Sequence, residues 1–436
     1  MREIGVGLLG FGTVGAGVVE GLQKNGDLIA GRLGCRLVMR RIADLDIDRD
    51  RGVEIDPSML TKDAESVIDD PAIDIVIELI GGVTIARKFI TRALSLGKPV
   101  VTANKALLAE HGADLMALAQ SHKTDLYFEA SVAGGIPIIK TLREGLIANR
   151  IDSIYGILNG TCNYILTRME REKLKYERVL KDAQAAGYAE ADPGLDIDGH
   201  DTSHKAVVLA SLAYGINVPL RAVSVEGIRG LSEVDIDYAR DLGYRIKLLA
   251  VIKNIESQIE VRVHPTLIPV EHMLASVSGV FNAVLVEGNI VGQTLYYGRG
   301  AGRLPTASAV IADLADVARN IATRSAGRVP PLSLIDQTVV YRDAGSICTR
   351  SYLRISLLDK PGALGIIASI LGRQGISIAS VLQQEEHQGR HVQVVIVTHR
   401  AQEQQFQAAL QEINALSAVG NPVIRMRIED LGIVKK

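Results

Sequence analysis

Two lysines and one aspartate stand where they could move a proton. Lys205 follows Asp201 by four residues on a predicted helix, so both side chains point from one face. Lys105 opens another predicted helix, directly after a short apolar strand. A lysine gives or takes a proton when burial or a nearby cation lowers its pKa, as hydride transfer at a hydroxyl-bearing carbon requires. On spacing alone, an exposed ion pair between Asp201 and Lys205 is the more common case.

A glycine motif follows the first predicted strand, Ile4–Leu9, and precedes a helix. Its residues are Gly10, Phe11, Gly12, Thr13, Val14 and Gly15. The first glycine of such a motif allows a tight turn, the second lets a pyrophosphate approach the backbone, and the third lets helix and strand pack closely. The helix N-terminus then offers free N–H groups and the positive end of its dipole. The motif predicts a site for a nicotinamide dinucleotide.

The end of the second predicted strand bears on which dinucleotide is bound. An acidic residue there binds the ribose 2′-OH of NAD, whereas arginines accept the 2′-phosphate of NADP. The chain has both, with Arg40 and Arg41 in the strand and Asp44 and Asp46 just beyond it. We take Arg40 and Asp44 as candidate cofactor contacts, and the choice between NAD and NADP stays open.

Two glutamates lie in loops that could bind positive groups. Glu190 stands between Gly187 and Pro193, and a carboxylate is the natural partner for the ammonium group of an amino-acid substrate. Glu129 ends the sixth predicted strand, where one carboxylate and several backbone carbonyls could form an oxygen cage for a hard cation. The alternative for Glu129 is a buried glutamate that caps the loop.

Composition limits the classes of protein. The chain has 436 residues, 47% hydrophobic and 22% charged, which at roughly 150 residues per domain gives about three domains. Its 48 Lys and Arg against 50 Asp and Glu exclude a basic nucleic-acid-binding face over the whole molecule. Cys35, Cys162 and Cys348 form no CxxC pair, which favours a reducing compartment. With no long apolar run, we expect no membrane span and a cytoplasmic protein.

Hydrophobic periodicity divides the chain into three predicted domains of an α/β protein. Residues 1–133 alternate short apolar strands with helices, which is typical of a Rossmann-type parallel sheet that binds NAD(P). Residues 134–340 mix helices with long alternating strands, which predicts an α+β domain, and helix 304–322 is expected to pack back on the first domain. A polar linker, 341–351, leads to a βαββαβ pattern in 352–436, a ferredoxin-like unit.

Four further segments carry a resemblance to a known family. They are Val101–Lys105, Phe128–Pro137, Leu158–Tyr164 and Gly187–Pro193. Together with the glycine motif they make residues 1 to about 340 similar to homoserine dehydrogenase, and the last 80 residues resemble an ACT regulatory domain. The resemblance implies NAD(P)-dependent interconversion of L-homoserine and L-aspartate 4-semialdehyde in threonine, methionine and isoleucine biosynthesis. It also implies that residues 134–340 are the substrate-binding, catalytic and dimerisation domain, and that the protein is a homodimer or homotetramer.

The resemblance further implies a role for each candidate residue. Lys205 is then the proton donor and acceptor, Asp201 holds substrate and lysine in place, and Lys105 is the second active-site lysine, near the nicotinamide and the substrate. Glu190 binds the substrate ammonium and Gly187 supplies a backbone contact. The resemblance also implies a cofactor contact at Gly302. It implies a site for a monovalent cation, usually sodium, at Glu129, Val132, Gly134 and Ile136.

The C-terminal unit carries a possible effector site. Leu358–Gly365 resembles the ACT signature, in which Asp359 ends the first strand and Gly362 turns the chain into a helix whose free N–H groups can hold a carboxylate. By resemblance, the effector is L-threonine. The alternative is a domain kept only for assembly, because Gly375–Ile378 replaces a segment where many sensing modules carry an asparagine.

Two other functions compete with this interpretation. Aspartate-semialdehyde dehydrogenase also has a Rossmann domain, but it needs a nucleophilic cysteine, and Cys162 alone lies near a candidate site. A non-enzymatic sensor with a degenerate dehydrogenase body is the second alternative. The joint presence of Lys105, Glu190, Asp201 and Lys205 argues against it.

Overall fold

A computed structural model describes residues 1–330, 340–383 and 391–432. Residues 331–339, 384–390 and 433–436 belong to the predicted second and third domains and lie outside the described residues. Within the described part of the chain, no helix combines the length and apolarity needed to cross a membrane.

The amino-terminal unit is a six-stranded parallel sheet with strand order β3-β2-β1-β4-β5-β6. Its elements are β1 Arg2–Leu9, α1 Thr13–Leu33, β2 Cys35–Ala43, β3 Leu60–Thr61, α2 Ala64–Asp69, β4 Ile75–Glu78, α3 Thr84–Ser95, β5 Val100–Thr102, α4 Lys105–Ser121 and β6 Leu126–Tyr127. This is the predicted Rossmann-type fold, and the carboxyl ends of its strands meet at one edge. The sixth strand is shorter than expected, because a 3₁₀ turn, Glu129–Ser131, replaces its second half.

The second unit combines helices with long antiparallel strands. Its elements are α5 Ile138–Lys140, β7 Ile151–Ile157, α6 Gly160–Glu172, α7 Tyr176–Ala185, α8 Gly194–Ile197, α9 His200–Tyr214, β8 Ser224–Val225, α10 Glu233–Asp241, β9 Tyr244–Ile255, β10 Gln258–Pro269, α11 Met273–Ser276, β11 Phe281–Gly288, β12 Gly292–Arg299, α12 Arg303–Thr323 and β13 Val340–Tyr341. Two short strands, β8 and β13, pair in parallel with β10. The segment after Pro137 is not one regular helix, since a π-helical turn, Thr141–Gly145, follows α5.

Helix α12 packs on the amino-terminal unit. Its buried side chains, Val310 and Leu314 among them, share one hydrophobic cluster with Val18 of α1 and Ile4 of β1. The two helices approach closely at Gly17, where a Cβ atom would lie 2.5 Å from the carbonyl oxygen of Arg303. The absence of a side chain at this position therefore sets the distance between α1 and the start of α12.

The third unit has the predicted βαββαβ order. Its elements are β14 Cys348–Leu358, α13 Ala363–Arg373, β15 Ile378–Gln383, β16 His391–Thr398, β17 Ala401–Gln402, α14 Glu403–Asn414 and β18 Ile424–Ile428. Its sheet order is β18-β14-β16-β15, and the helices bury a cluster that includes Ile355, Ile367 and Phe406. Strand β14 begins at Cys348, so the last four residues assigned to the linker belong to the sheet.

The third unit is part of the same sheet as the second. Strand β18 pairs in parallel with β10, where Thr266 lies opposite Arg427 and Leu267 opposite Ile428. The whole sheet runs β12-β11-β7-β9-β10-β18-β14-β16-β15. Arg354 of β14 also makes two hydrogen bonds, 2.6 and 2.9 Å, to the buried carboxylate of Asp235 on α10. In addition to the predicted linker, a direct sheet connection therefore joins the two units. Strand β18 covers an edge that β10 would otherwise expose.

Candidate active site

The glycine motif forms the turn between β1 and α1. Gly10 has φ +96°, and a Cβ there would lie 2.6 Å from the backbone of Leu79 after β4. A Cβ on Gly15 would lie 2.3 Å from the carbonyl oxygen of Gly10. By contrast, no atom lies within 4 Å of the Cβ position of Gly12, and no side chain caps α1 at this end. The turn thus leaves both open space and free N–H groups, which suits a pyrophosphate.

Asp44 contacts this turn directly. Its Oδ2 accepts a 2.6 Å hydrogen bond from the N–H of Phe11, and its Oδ1 accepts one of 2.9 Å from the N–H of Asp46. The guanidinium of Arg51 lies 3.5 Å from the same carboxylate. Arg51 was missed by the sequence analysis, although it closes the charged segment that follows β2.

Arg40 does not reach the glycine motif. Its guanidinium donates a 2.6 Å hydrogen bond to Glu3 and is exposed. Glu3 stands near the start of β1, at the opposite end of that strand from the turn. The structure therefore brings Asp44 to the cofactor loop and leaves Arg40 away from it.

A buried glutamate shapes the loop after β4. Glu78 accepts hydrogen bonds from the N–H groups of Ile80 and Gly81 through one carboxylate oxygen, and from the hydroxyl of Thr102 at 2.6 Å through the other. Burial raises the pKa of this carboxyl group. Asn104 reaches the same loop with a 2.7 Å hydrogen bond to the carbonyl oxygen of Gly82. These contacts hold the loop against Gly10, at the edge where the dinucleotide motif lies.

Lys105, Asp201 and Lys205 form one ionic group. Asn104 caps α4 by accepting a hydrogen bond from the N–H of Leu107, so that Lys105 is the first residue of that helix. Its Nζ lies 3.0 Å from Oδ1 of Asp201. Lys205 Nζ donates 2.7 Å to Oδ2 of the same carboxylate and 2.8 Å to the carbonyl oxygen of Leu158. The bridge joins the amino-terminal unit to helix α9 of the second unit.

This group is buried, unlike an ordinary surface ion pair. The side chains of Asp201 and Lys205 are 5% and 11% exposed, and that of Lys105 is 35% exposed. Burial raises the pKa of a carboxyl group, but the two lysines hold the pKa of Asp201 well below its usual range. Burial lowers the pKa of Lys105, yet the charges of Asp201, Asp196 and Glu190 reverse this and raise it. For Asp201 and for Lys105, the neighbouring opposite charges outweigh burial and favour the charged form.

Asn159 and Asp196 extend the group. Asn159 donates from its amide to Oδ1 of Asp196 at 2.7 Å and to Oδ2 of Asp201 at 3.0 Å. Its own oxygen caps α6 by accepting from the N–H of Cys162. The sequence analysis quoted Asn159 only as part of a motif. The available signal was the residue type itself, since Asn is a preferred N-cap residue.

Glu190 and Gly187 lie in the loop that follows α7. Glu190 is exposed, and its charge acts on Lys105. Gln184 of α7 holds the loop by donating to the carbonyl oxygen of Glu190 at 3.0 Å. Gly187 ends the helix with φ +73° and is open to solvent. The loop therefore presents a carboxylate whose charge acts on the Lys–Asp–Lys group through Lys105.

Gly302 and the Glu129 loop are neighbours. Gly302 precedes α12 with φ +124°, and the N–H of Gly135 donates 3.0 Å to the carbonyl oxygen of Arg299 in the same glycine-rich segment. A Cβ on Gly134 would lie 2.4 Å from the carbonyl oxygen of Gly300. The segment that enters α12 is thus packed on the loop proposed for a cation.

Glu129 is buried, and both of its carboxylate oxygens accept hydrogen bonds. The N–H groups of Ile139 and Lys140 donate to them at 2.8 and 2.7 Å. Burial raises the pKa of Glu129 to about 7. The buried carboxyl of Asp313 accepts from the N–H of Glu129, and burial together with the Glu129 charge raises its pKa too. In the described part of the chain, no group of three or more His, Cys, Asp or Glu could hold a metal ion.

Cys162 is placed as a packing residue. It is fully buried, and its Sγ donates to the carbonyl oxygen of Asp196 at 3.3 Å. Burial raises the pKa of the thiol well above its ordinary value, with the charges of Asp196 and Asp201 adding to the effect. A nucleophilic cysteine needs a lowered pKa and access to substrate. The thioester chemistry of the first alternative therefore does not fit this residue.

A dinucleotide turn on a parallel sheet and a buried lysine group at the same edge define an NAD(P)-dependent dehydrogenase. Family profiles agree: "Homoserine dehydrogenase, NAD binding domain" matches residues 10–129, "Homoserine dehydrogenase" matches 137–315 and "ACT domain" matches 351–418. Homoserine dehydrogenases from Neisseria gonorrhoeae and Pseudomonas aeruginosa are each 45% identical to this chain, over 99% of it and 100% of their own length.

Solved structures give the same result. The crystal structure of a homoserine dehydrogenase from Thiobacillus denitrificans matches with a TM-score of 0.93 at 45% identity, covering 99% of both chains. That from S. aureus at pH 7.5 matches with a TM-score of 0.77 at 31% identity, over 98% of this chain and 99% of its own. The chain belongs to the homoserine dehydrogenase family, and is an NAD(P)-dependent oxidoreductase acting on a CH–OH group. The non-enzymatic alternative is thereby excluded.

Proposed function

We propose that the protein interconverts L-homoserine and L-aspartate 4-semialdehyde, with Lys205 as the proton donor and acceptor. The observation that carries this proposal is the bridge of Asp201 between Lys105 and Lys205. An ammonium group has three N–H donors, and Lys205 uses two of them on Asp201 and Leu158. The third is left for a substrate oxygen. Absorbance in the NADH band on adding homoserine with NAD or NADP tests the activity, and no change with either cofactor would refute it.

The residues divide the chemistry between them. The glycine motif would hold NAD(P)H, which when bound would supply the hydride for the aldehyde carbon of the semialdehyde. Lys205 then gives a proton to the alkoxide oxygen and forms homoserine, while Asp201 orients the lysine through their hydrogen bond. Lys105 places a second positive charge beside the developing alkoxide, which favours the transition state. Glu190 binds the substrate ammonium, and Gly187 contributes a backbone contact.

We propose that Asp44 and Arg51 together govern the choice of cofactor. The carboxylate of Asp44 suits a ribose 2′-OH, while the guanidinium of Arg51 beside it suits a 2′-phosphate. Arg51→Gln should raise KM for NADPH by about tenfold and change KM for NADH little, because one charge-assisted hydrogen bond is lost. Steady-state kinetics with both cofactors measures this. Arg40→Gln is the matched control, and an equal shift with that variant would contradict the assignment.

We propose that a monovalent cation, sodium, binds at the Glu129 loop. Its ligands would be the carboxylate of Glu129 and the backbone carbonyls of Val132, Gly134 and Ile136. Two observations support a cation there: Glu129 and Asp313 are buried close together, and both have raised pKa values. A cation would offset this repulsion and hold the hinge between the units, since the segment leading to Gly302 packs on the loop.

The pKa of Glu129 predicts how stability depends on pH and sodium. Between its ordinary value of 4.5 and about 7, the folded protein keeps a proton that the unfolded chain has released. Without a bound cation, the free energy of unfolding should therefore fall as pH rises through this window, by up to about 3 kcal/mol. Sodium favours the ionised form, so NaCl in place of choline chloride should raise Tm more above about pH 7 than below it.

Two variants test this dependence by calorimetry. Glu129→Gln should remove both the pH dependence in that window and the sodium effect. Glu172→Gln changes an exposed glutamate that pairs with Arg168 and should keep both. A sodium effect that persists in Glu129→Gln would place the ion elsewhere.

We propose that the ACT unit binds an amino-acid effector, L-threonine by resemblance, at the junction of β14 and α13. Gly362 has φ +86°, and no side chain caps α13, so the N–H groups of its first turn are free for a carboxylate. Because this unit shares the sheet of β10, a bound effector could shift the catalytic unit. Threonine should inhibit the wild type at least fivefold more than Asp359→Asn, and a matched variant, Glu412→Gln, should respond as the wild type does. An equal response in all three would leave the domain with a purely structural role.

We propose that the protein is a homodimer or homotetramer. Strand β12 lies at the end of the sheet, with Tyr297 55% exposed, so it offers an edge and side chains for a second copy. Light scattering at working concentration should give at least twice the chain mass of 46.8 kDa. A monomeric mass would refute the proposal.

A further inference from the structure

A cavity of about 250 Å³ lies where the third unit joins the second. We call it the seam cavity. It is lined by β9, β10, β14 and the end of β18, and its charged lining includes Lys253, Glu260, Arg262, Arg342, Arg350 and Arg400. A water molecule occupies about 30 Å³ of the liquid, so the cavity has room for roughly eight non-hydrogen atoms. It is separate from both the dinucleotide turn and the Lys–Asp–Lys group, none of whose residues line it.

The inner layer of the seam cavity is electrically balanced. Arg262, 2% exposed, donates 2.8 Å to Glu260 and 2.9 Å to Glu429. Lys253 donates 2.8 Å to the other oxygen of Glu429. Two cations therefore face two carboxylates, and these contacts need no ligand.

The outer layer is not balanced. Arg350 donates 2.8 Å to Asp430, but Arg400 stands 3.8 Å from that carboxylate and Arg342 3.9 Å from Glu260. Within the described residues, no hydrogen bond uses the guanidinium group of Arg342 or Arg400. The outer layer thus contains three guanidinium groups and one carboxylate, that of Asp430. This leaves an excess of about two positive charges.

A buried hydroxyl supplies independent evidence for a ligand. Thr349 of β14 lines the seam cavity and is 5% exposed, yet its Oγ1 has no hydrogen-bond partner among the residues described. Buried polar atoms are nearly always hydrogen-bonded, so this hydroxyl is available to a group bound at the cavity. Guanidinium groups match the oxygen geometry of carboxylates and phosphates.

We propose that the seam cavity binds a small dianion with oxygen ligands, of the phosphate or dicarboxylate class. Arg342 and Arg400 supply charge-assisted hydrogen bonds, and the hydroxyl of Thr349 donates a further hydrogen bond. Arg342 follows β13 of the second unit, whereas Thr349 and Arg400 belong to the third. A bound dianion therefore links the two units at the place where β18 joins β10.

Calorimetric titration of the full chain at constant ionic strength tests the site, with inorganic phosphate and succinate as separate probes. Saturable binding of either probe supports the site and shows which class of dianion it binds. In the double variant Arg342→Gln, Arg400→Gln, binding should weaken at least tenfold, and in Thr349→Val it should weaken measurably. Arg324→Gln, an exposed arginine beyond α12, is the matched control and should bind as the wild type does.

Two results would overturn the proposal: no saturable binding of either probe, or equal affinity in the double variant and the wild type. Unchanged Tm and unchanged basal kcat in the double variant would show that its loss of binding reflects the cavity and not the fold. Because binding is measured without substrate or dinucleotide, failure of the dehydrogenase assignment would leave this test unaffected.

Discussion

Lys205→Ala should lower kcat by about 10²-fold or more while leaving the affinity for NAD(P)H nearly unchanged. Removing a positioned general acid has an effect of this size because the proton must then come from a group that is not oriented to give it. Lys105 cannot replace Lys205 simply by moving, since its Nζ is held 3.0 Å from the other oxygen of Asp201. The dinucleotide turn is built on β1 and α1, which the substitution does not touch.

Initial rates at saturating substrate and cofactor measure kcat, and NADH fluorescence measures cofactor binding. Lys205→Met keeps most of the length of the side chain and should behave as Lys205→Ala does, which separates loss of the proton donor from loss of packing. Lys181→Ala on α7 removes an exposed lysine and should keep wild-type kcat. Near wild-type kcat in Lys205→Met would show that another group supplies the proton.

The active-site pair on α9 could be predicted because it is local. Helix geometry alone puts Asp201 and Lys205 on one face, and the alternation of strands and helices puts Lys105 at the carboxyl edge of the sheet. The contact between Lys105 and Asp201 could not be predicted from spacing, since it depends on how helix α9 is placed against the amino-terminal unit. That placement also turns the pair from a surface ion pair into a buried one.

Two other differences between the sequence predictions and the structure also arise from contacts between residues far apart in the chain. Arg40 is a plausible phosphate ligand by its position in β2, but an ion pair with Glu3 on the neighbouring strand directs it elsewhere. The segment 341–351 is polar and predicts a free linker, yet the pairing of β18 with β10 fixes the third unit against the second. Strand pairing between residues far apart in sequence leaves no local periodic signal.

Asp201→Asn should destabilise the fold and change the pH dependence of the reduction. Removing one partner of a buried ionic group leaves the remaining charges without compensation, so we expect a loss of about 3 kcal/mol in the free energy of unfolding. Asp198→Asn is the matched control. Asp198 pairs with the exposed Arg229, so its loss should cost less than about 1 kcal/mol. Urea unfolding of both variants measures the difference.

The pH profile separates a role of Asp201 in holding Lys105 charged from a purely structural role. Burial alone lowers the pKa of Lys105, and the charge of Asp201 is the largest of the effects that raise it. In Asp201→Asn burial prevails, so Lys105 loses its proton at lower pH than in the wild type. The positive charge that favours the transition state is lost with it. The alkaline limb of kcat for reduction should therefore move to lower pH, whereas Asp198→Asn should keep the wild-type limb. If kcat in Asp201→Asn fell equally at every pH, Asp201 would position the lysines without controlling the charge of Lys105.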